Sequence, residues 1–493
     1  MTNSELHIHG HSCLEIRTNN LSLVCDPWLS GSAYWRSWWN FPESKDFNSL
    51  LDIWCKQKNL YIYITHLHWD HFHGPSLRKI KKFCKGAKFI IPRTPEKRLK
   101  SDLVNVVGNK SIFEIKHAEK LQLDKNLSIL SFQFGPFFAD SILSINSSKF
   151  NILNMNDAKI LDLSLSHLLS VIPKPDYVLR SHSSANSRCC LHDLNGNRYP
   201  IRNIDKQRDM YSKEFFDACY ATGANVAIPF ASNMACLHKE TYEYNSVLNF
   251  SDYVIQDFKS LRSEYKEMDC KMILPTETLI LETKEIIENH DLRYALKNQS
   301  RDSYLRVYQQ TKSKILQEQY LKEQSEEVSY KLLSSYFLKI IKYTPLILKI
   351  YLSNKIFIEA FTPDQSKLFN INFLKCSINE TSTFIKSPKN VKLVVNAYVL
   401  NDVCKKSHWN SLGVSKRLKI YSNLSNMRFT VFNFLCNTIE SGGLIPATNI
   451  LSVRFISIWF KRYREIIDLI IYASRIIFYK VFGKKFYFWK KVR

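Results

Sequence analysis

The sequence predicts an α+β protein, and three observations carry that expectation. Short β-rich apolar runs such as Leu60-Tyr-Ile-Tyr-Ile64 end in polar loops, as buried strands do. Between two such runs, Pro75 to Cys84 sets Leu77, Ile80 and Phe83/Cys84 at helical spacing with basic residues on the opposite face. At 493 residues the chain is also far longer than one core needs, so two or more domains are expected.

Taken in order, residues 5–26 read as two strands joined by a turn at Asn19-Asn20, with Leu14, Ile16, Leu21, Leu23 and Val24 as the apolar positions. His9-Gly-His-Ser-Cys13 and Cys25-Asp-Pro-Trp-Leu29 fall at the ends of these strands. The stretch Asp26 to Pro42 holds four tryptophans around Arg36, a density that suits either a core plug or a substrate wall. Then comes Thr65-His-Leu-His-Trp-Asp-His-Phe-His-Gly74, directly after the apolar run. His66 and His68 lie two apart, so in extended chain their rings project to one side. Asp70 and His71 follow where the chain must turn and can reach a neighbouring point from another direction. One loop can therefore offer ligands to two adjacent metal ions. Imidazole with carboxylate suits zinc, iron or manganese, and the lack of thiolate in the cluster points to a catalytic rather than a structural site.

His66-Leu-His-Trp-Asp-His71 resembles the signature of the metallo-β-lactamase superfamily. The resemblance implies a four-layer αββα sandwich with the metal site at one sheet edge. It implies that His66 and His68 bind one metal while Asp70 and His71 help bind the other. A Gly-His-small segment and an Asp-Pro recur near the site in that superfamily. Asp26 is therefore expected to orient a histidine ligand, with His11 beside it, a surface turn being the alternative for His9 and His11. Phe150 to Asp157 looks like the family strand that delivers the metal-bridging carboxylate, Asp157. Asp140 falls where a third ligand is needed, its alternative being a carboxylate that caps the next strand.

Two further segments are similar to the CMP-N-acetylneuraminate hydroxylase group within that superfamily. The tryptophan loop is one, in which Trp35 and Arg36 would meet an anionic substrate; in the alternative the tryptophans pack beneath the loop. The other is Asn225 to His238, which implies His238 as the closing ligand. His182 and Asn186, in the polar loop after the strand Asp176 to Arg180, are further candidates for substrate contact. A Rieske centre needs Cys-x-His and Cys-x-x-His. Cys190-Leu-His192 fits the first, but Cys236-Leu-His238 is one residue short of the second, and no small domain is left to house a cluster.

The expected reading is a hydrolase using water activated by two divalent ions, zinc first, with iron or manganese as alternatives. Asp70 would orient that water or accept its proton. The substrate would be a small anion, with a sugar nucleotide or glycan precursor as the guess that analogy offers. The alternatives are an iron-dependent oxygenase with an external electron donor, and a degenerate binding protein.

The metal-binding domain is expected over 1–258, a helical connector over 259–330, an α/β extension over 331–458 and a basic amphipathic tail over 459–493. Charges interrupt every apolar run of the tail before it could span a bilayer. It reads either as an interfacial helix facing anionic lipid or as a packed helix with a solvated basic face. The net charge of +24 accompanies abundant Lys, Asn, Ile, Phe and Tyr, a mixture an AT-rich coding sequence also produces. With no zinc-finger spacing, RNP-like segment or basic recognition helix, nucleic acid is not an expected partner. The N-terminus lacks a secretory pattern, and twelve cysteines are scattered without CxxC pairs. Reduced thiols and a cytoplasmic location, open to contact with the inner membrane face, are the expectation.

Overall fold

The computed structural model describes residues 4–440 and 453–474, with positions 45, 96, 135–138, 184, 186, 200–203, 469, 472 and 473 excepted. Two sheets stack face to face. The first has eight strands, in the order 286–287, 278–280, 5–8, 14–17, 21–25, 59–63, 88–92 and 112–115. The second has seven, in the order 269–270, 226–230, 177–181, 151–156, 140–147, 127–134 and 119–122. Side chains of alternate residues meet between them: Leu6, Ile8, Leu23 and Tyr63 from one sheet, Ile129, Ile145, Leu179 and Ile228 from the other.

The outward faces are apolar too and must be covered. The helices Phe47–Lys56, Gly74–Phe83 and Arg98–Val107 cover the first sheet through Leu50, Trp54, Leu77, Ile80 and Leu103. Asp162–Val171, Ile204–Ala221 and Ser251–Leu261 cover the second through Leu165, Leu168, Phe215, Phe216 and Val254. The result is the predicted four-layer αββα sandwich. Parallel pairs 21–25/59–63 and 59–63/88–92 are joined by helical crossovers, so their connecting loops gather at one sheet end.

Three expectations are corrected. Residues 5–26 form three strands rather than two, because the chain breaks at Gly10–Ser12. A Cβ on Gly10 would come within 2.7 Å of the Asn40 side chain, so the break needs glycine. Both sheets also draw on residues beyond 258: Asp269–Cys270 pairs with Val226 and Ala227, and Thr278–Ile280 with Glu5 and Leu6. The helical stretch proper is His290–Asn298, Arg301–Thr311 and Ser313–Ser325. Finally, the cysteines are not all free. Cys55 and Cys84 form a disulfide between the ends of the first two helices.

A third sheet of six strands runs 191–192, 419–421, 391–396, 356–361, 366–372 and 377–381. Its first strand belongs to the N-terminal half, pairing Leu191 and His192 with Ile420 and Tyr421. One core joins the halves. It contains Trp28, Trp35, Trp38 and Trp39 together with Tyr336, Phe337, Leu400, Trp409 and Phe432.

Candidate metal centre

The strand Asn59–Tyr63 ends beneath the loop that carries the histidines, and Asp26 at the end of the neighbouring strand organises that loop. Asp26 Oδ1 accepts the Thr65 amide at 2.8 Å and Oδ2 accepts the Thr65 hydroxyl at 2.7 Å. The same Oδ2 lies 2.7 Å from His71 Nδ1. All three groups are buried, so the arrangement is satisfied only in this geometry. His73, the last histidine of the run, caps the following helix, its Nδ1 near the Ser76 amide and 2.8 Å from its hydroxyl.

Two sets of ligand atoms converge. In one, His66 Nε2 and His68 Nδ1 lie 2.7 Å apart, with Asp157 Oδ2 3.8 Å from His66 Nε2. In the other, His11 Nε2 is 3.0 Å from Asp70 Oδ2, which is 3.6 Å from His71 Nε2. Asp157 connects them, because its Oδ1 lies 3.8 Å from His71 Nε2. His71 Nε2 and Asp157 Oδ1 are buried without a hydrogen-bond partner, although they face one another. A polar nitrogen and a carboxylate oxygen left so in an interior are costly unless a cation joins them. The residues present therefore fit a divalent metal.

The electrostatics agree. Burial alone would lower the His71 pKa, but Asp70, Asp157 and Asp26 hold it up to about 10. Burial would raise Asp70, yet the charge of His71 and the hydrogen bond from His11 keep its carboxyl well below the usual range. Asp157 is likewise lowered against burial, by His66 and His71. Burial pushes His66 down. The pocket attracts positive charge and keeps Asp70 and Asp157 ionised.

The sequence-derived candidates divide. His66, His68, Asp70, His71 and Asp157 come together, and Asp26 orients His71. His11 is not behind the site but in it, within the Asp70/His71 set. Its amide donates to Asn40 Oδ1 at 2.7 Å, which fixes the Gly10–His11 turn. Asp140 does not join either set. Its Oδ1 accepts the Ser141 amide at 2.7 Å and lies 3.4 Å from His66 Nδ1, on the ring edge away from His68. Burial and the charge of Asp157 raise its carboxyl.

His238 is elsewhere. It sits 3.2 Å from Glu323 Oε2 and edge-on to Tyr320, because the strand Met234–Cys236 pairs with Trp38–Asn40 and leads the chain away. Trp35 and Arg36 also turn from the centre: Trp35 Nε1 donates to Asp402 Oδ2 at 2.9 Å, and Arg36 to Ser32 Oγ at 3.1 Å. His182 is buried beside Ser251, 3.4 Å from its hydroxyl. Asn186 lies outside the described residues.

Sequence reasoning missed several neighbours. Tyr34, Trp35 and Arg36 are three consecutive residues at positive φ, and this turn brings the Tyr34 hydroxyl to Asp70 Oδ1, to which it donates at 2.5 Å. Asn410, from the C-terminal half, has its side-chain amide 2.7 Å from His68 Nε2, and His408 packs edge-on against Trp69. No local signal links residue 410 to residue 68. Beside Asp70 and Asp157 a cavity of about 120 Å³ is lined by His11, Trp38, Lys159, Ser181, Ser183 and Met234.

Residues 5–125 match the β-lactamase superfamily domain. The chain carries a metallo-β-lactamase fold. A Rieske 2Fe-2S iron–sulfur protein of Mycobacterium tuberculosis is 33% identical over 164 residues, or 32% of this chain and 30% of that protein. Cytidine monophosphate-N-acetylneuraminic acid hydroxylase of Xenopus laevis is 36% identical over 72 residues, 15% of this chain and 12% of the enzyme. The aligned stretch thus covers under a third of the length of either curated relative. Among solved structures, the metallo hydrolase Igni18 of Ignicoccus hospitalis aligns at 16% identity and a TM-score of 0.37, covering 58% of this chain and 100% of that one. CmlA, a diiron β-hydroxylase of Streptomyces venezuelae, aligns at 16% identity and 0.38, covering 57% of this chain and 55% of its own.

Proposed function

We propose that this metallo-β-lactamase-fold protein is a metal-dependent hydrolase acting on a small anionic substrate. The observation that carries the reading is the convergence of two His/Asp sets on Asp157, with two facing buried atoms that make no hydrogen bond. His66, His68 and Asp157 would hold one divalent ion, and His11, Asp70 and His71, with Asp157 between, a second. Such ions lower the pKa of water and polarise the bond under attack, with zinc the first choice and iron or manganese compatible.

The protein groups have distinct tasks. Asp70, kept ionised and held by Tyr34 and His11, orients the attacking water. Asp26 and the Thr65 hydroxyl fix the outward-facing nitrogens of His71 and His66. Lys159 in the cavity wall supplies the charge for an anionic group, the task the sequence suggested for Arg36. The relatives' names make a sugar nucleotide the first class to test.

A second reading is iron-dependent oxygenation. It is favoured by the oxygen-rich surroundings, where Asp70 and Asp157 accompany the histidines, a donor set that iron accepts well. The test begins with metal content of protein purified without chelator, beside the double variant His66→Ala/His68→Ala. About two ions per chain, reduced in the variant, with hydrolysis of phosphodiesters or esters by the native protein, is the expected result. Iron with reductant-dependent oxygen uptake and no hydrolysis would replace the hydrolase by the oxygenase. Little metal in either form after reconstitution would remove both.

A further inference from the structure

The helix Val453–Lys461 and the helical residues that follow it, 463–468 and 470–471, are inside out. Its side chains Arg462, Glu465 and Asp468 face the protein. Arg462 donates to the Gln133 carbonyl at 3.0 Å and to Gln133 Oε1 at 2.6 Å. Asp468 accepts the Leu163 and Ser164 amides at 3.2 and 2.8 Å and the Ser164 hydroxyl at 2.6 Å. It thereby caps the helix Asp162–Val171, which has no side-chain cap of its own. Glu465 is buried between them.

Ile456, Phe460, Tyr463, Ile467 and Ile470/Ile471 recur every three to four residues and form the outward stripe. Phe460 is 80% exposed and Ile470 60%. A helix that satisfies its two acids and Arg462 inward and leaves its apolar stripe outward has a second phase to contact.

Charge identifies that phase. Glu465 and Asp468 are the only acids in 453–493, and both are turned inward, so Lys461 and Arg464 border an apolar stripe that carries no acid on its outward face. The sequence 475–493, outside the described residues, adds seven Lys and Arg, seven aromatic residues and no acid. With +24 on the whole chain, pairing this face with a second copy sets like charge against like. We infer that the outward face of this helix docks on an anionic lipid bilayer, lying in the interface with its apolar stripe among the lipids and its cations at the headgroups. Among the described residues no helix is long and apolar enough to cross a membrane.

The experiment is co-sedimentation of the full chain with vesicles of phosphatidylglycerol in phosphatidylcholine, against vesicles of pure phosphatidylcholine. The native protein is expected to pellet with the anionic vesicles and to be released by salt. Phe460→Ser/Ile470→Ser is expected to lower partitioning about tenfold or more, with thermal midpoint and metal content unchanged because both side chains lie in solvent. Native protein remaining in the supernatant, or equal pelleting of native and variant, would overturn the inference. So would equal pelleting with both kinds of vesicle. A dimer in sedimentation equilibrium that the same substitutions dissociate, without vesicle binding, would assign the face to a second copy instead.

Discussion

His66, His68 and His71 each turn one ring nitrogen into the centre and have the other held from behind, by Thr65, Asn410 and Asp26 respectively. The holding groups differ in burial and origin, so their removal should differ in effect. Asp26→Asn leaves His71 in place but exchanges a charged acceptor for a neutral one. Metal affinity is expected to fall about 10–100-fold at one of two sites, read as one weakened step in a metal titration. Asn410→Ala should weaken the other step and leave the thermal midpoint of the metal-free protein little changed. Equal loss of both steps from either variant would contradict the two-set arrangement.

Most of this shell was legible in the sequence because it is local: positions 66, 68, 70 and 71 share one loop, and their spacing fixes their directions. Histidine assignment over longer range failed. His11 and His238 both follow small or apolar residues near a strand end. Only the pairing of Met234–Cys236 with Trp38–Asn40, a tertiary fact, sends one into the site and the other away.

At the scale of elements, the cluster around His238 is a strut rather than a ligand site. Arg417, fully buried, has Nη2 2.9 Å from Glu323 Oε2 and Nε 3.0 Å from Glu240 Oε2, and donates from Nη1 to the Trp35 carbonyl at 3.1 Å. It thus ties the helix Ser313–Ser325 to the tryptophan loop. Burial alone would raise the Glu323 carboxyl, but the hydrogen bond from His238 and the charge of Arg417 hold it at about 2. His238 itself is pushed down by burial, so the guanidinium is the dependable cation of the group.

Because the folded value lies below the ordinary one, the stabilisation is complete above about pH 4.5 and is lost as pH falls toward 2. Glu323→Gln should therefore cost about 3 kcal/mol near neutrality and nothing near the acid limit. Urea midpoints measured across that range would check the convergence of the two curves. The strands and crossover helices around the site were readable from apolar runs and from the spacing of Leu77 and Ile80. The strut was not, since a buried ion pair between residues 323 and 417 leaves no periodic trace.

For the whole molecule, the proposed boundaries at 258 and 330 do not separate independent bodies. Strands at 269–270 and 278–280 finish the two main sheets, and Leu191–His192 belongs to the sheet of the C-terminal half. A chain ended after Ile287 would keep both main sheets but uncover Trp35, Trp39 and Trp69. Each large apolar side chain returned to water costs about 1.5–3 kcal/mol. Such a fragment is expected to aggregate or to melt well below the full chain in circular dichroism, and to bind metal more weakly for want of Asn410. Full native stability and affinity in the fragment would show the C-terminal half to be dispensable.

The shared core also bears on synthesis. Trp28 to Trp39 leave the ribosome early, whereas Asp402, Lys416 and Arg417, which contact Trp35 and Trp38, are made nearly four hundred residues later. At about 5–20 residues per second the aromatic loop waits about twenty seconds to somewhat over a minute for its cover. During that interval the nascent chain presents an uncovered tryptophan surface beside a half-built metal centre. Slowing translation between codons 40 and 409 should therefore lengthen chaperone occupancy on the nascent chain and lower the yield of metal-loaded protein, although the finished sequence is unchanged.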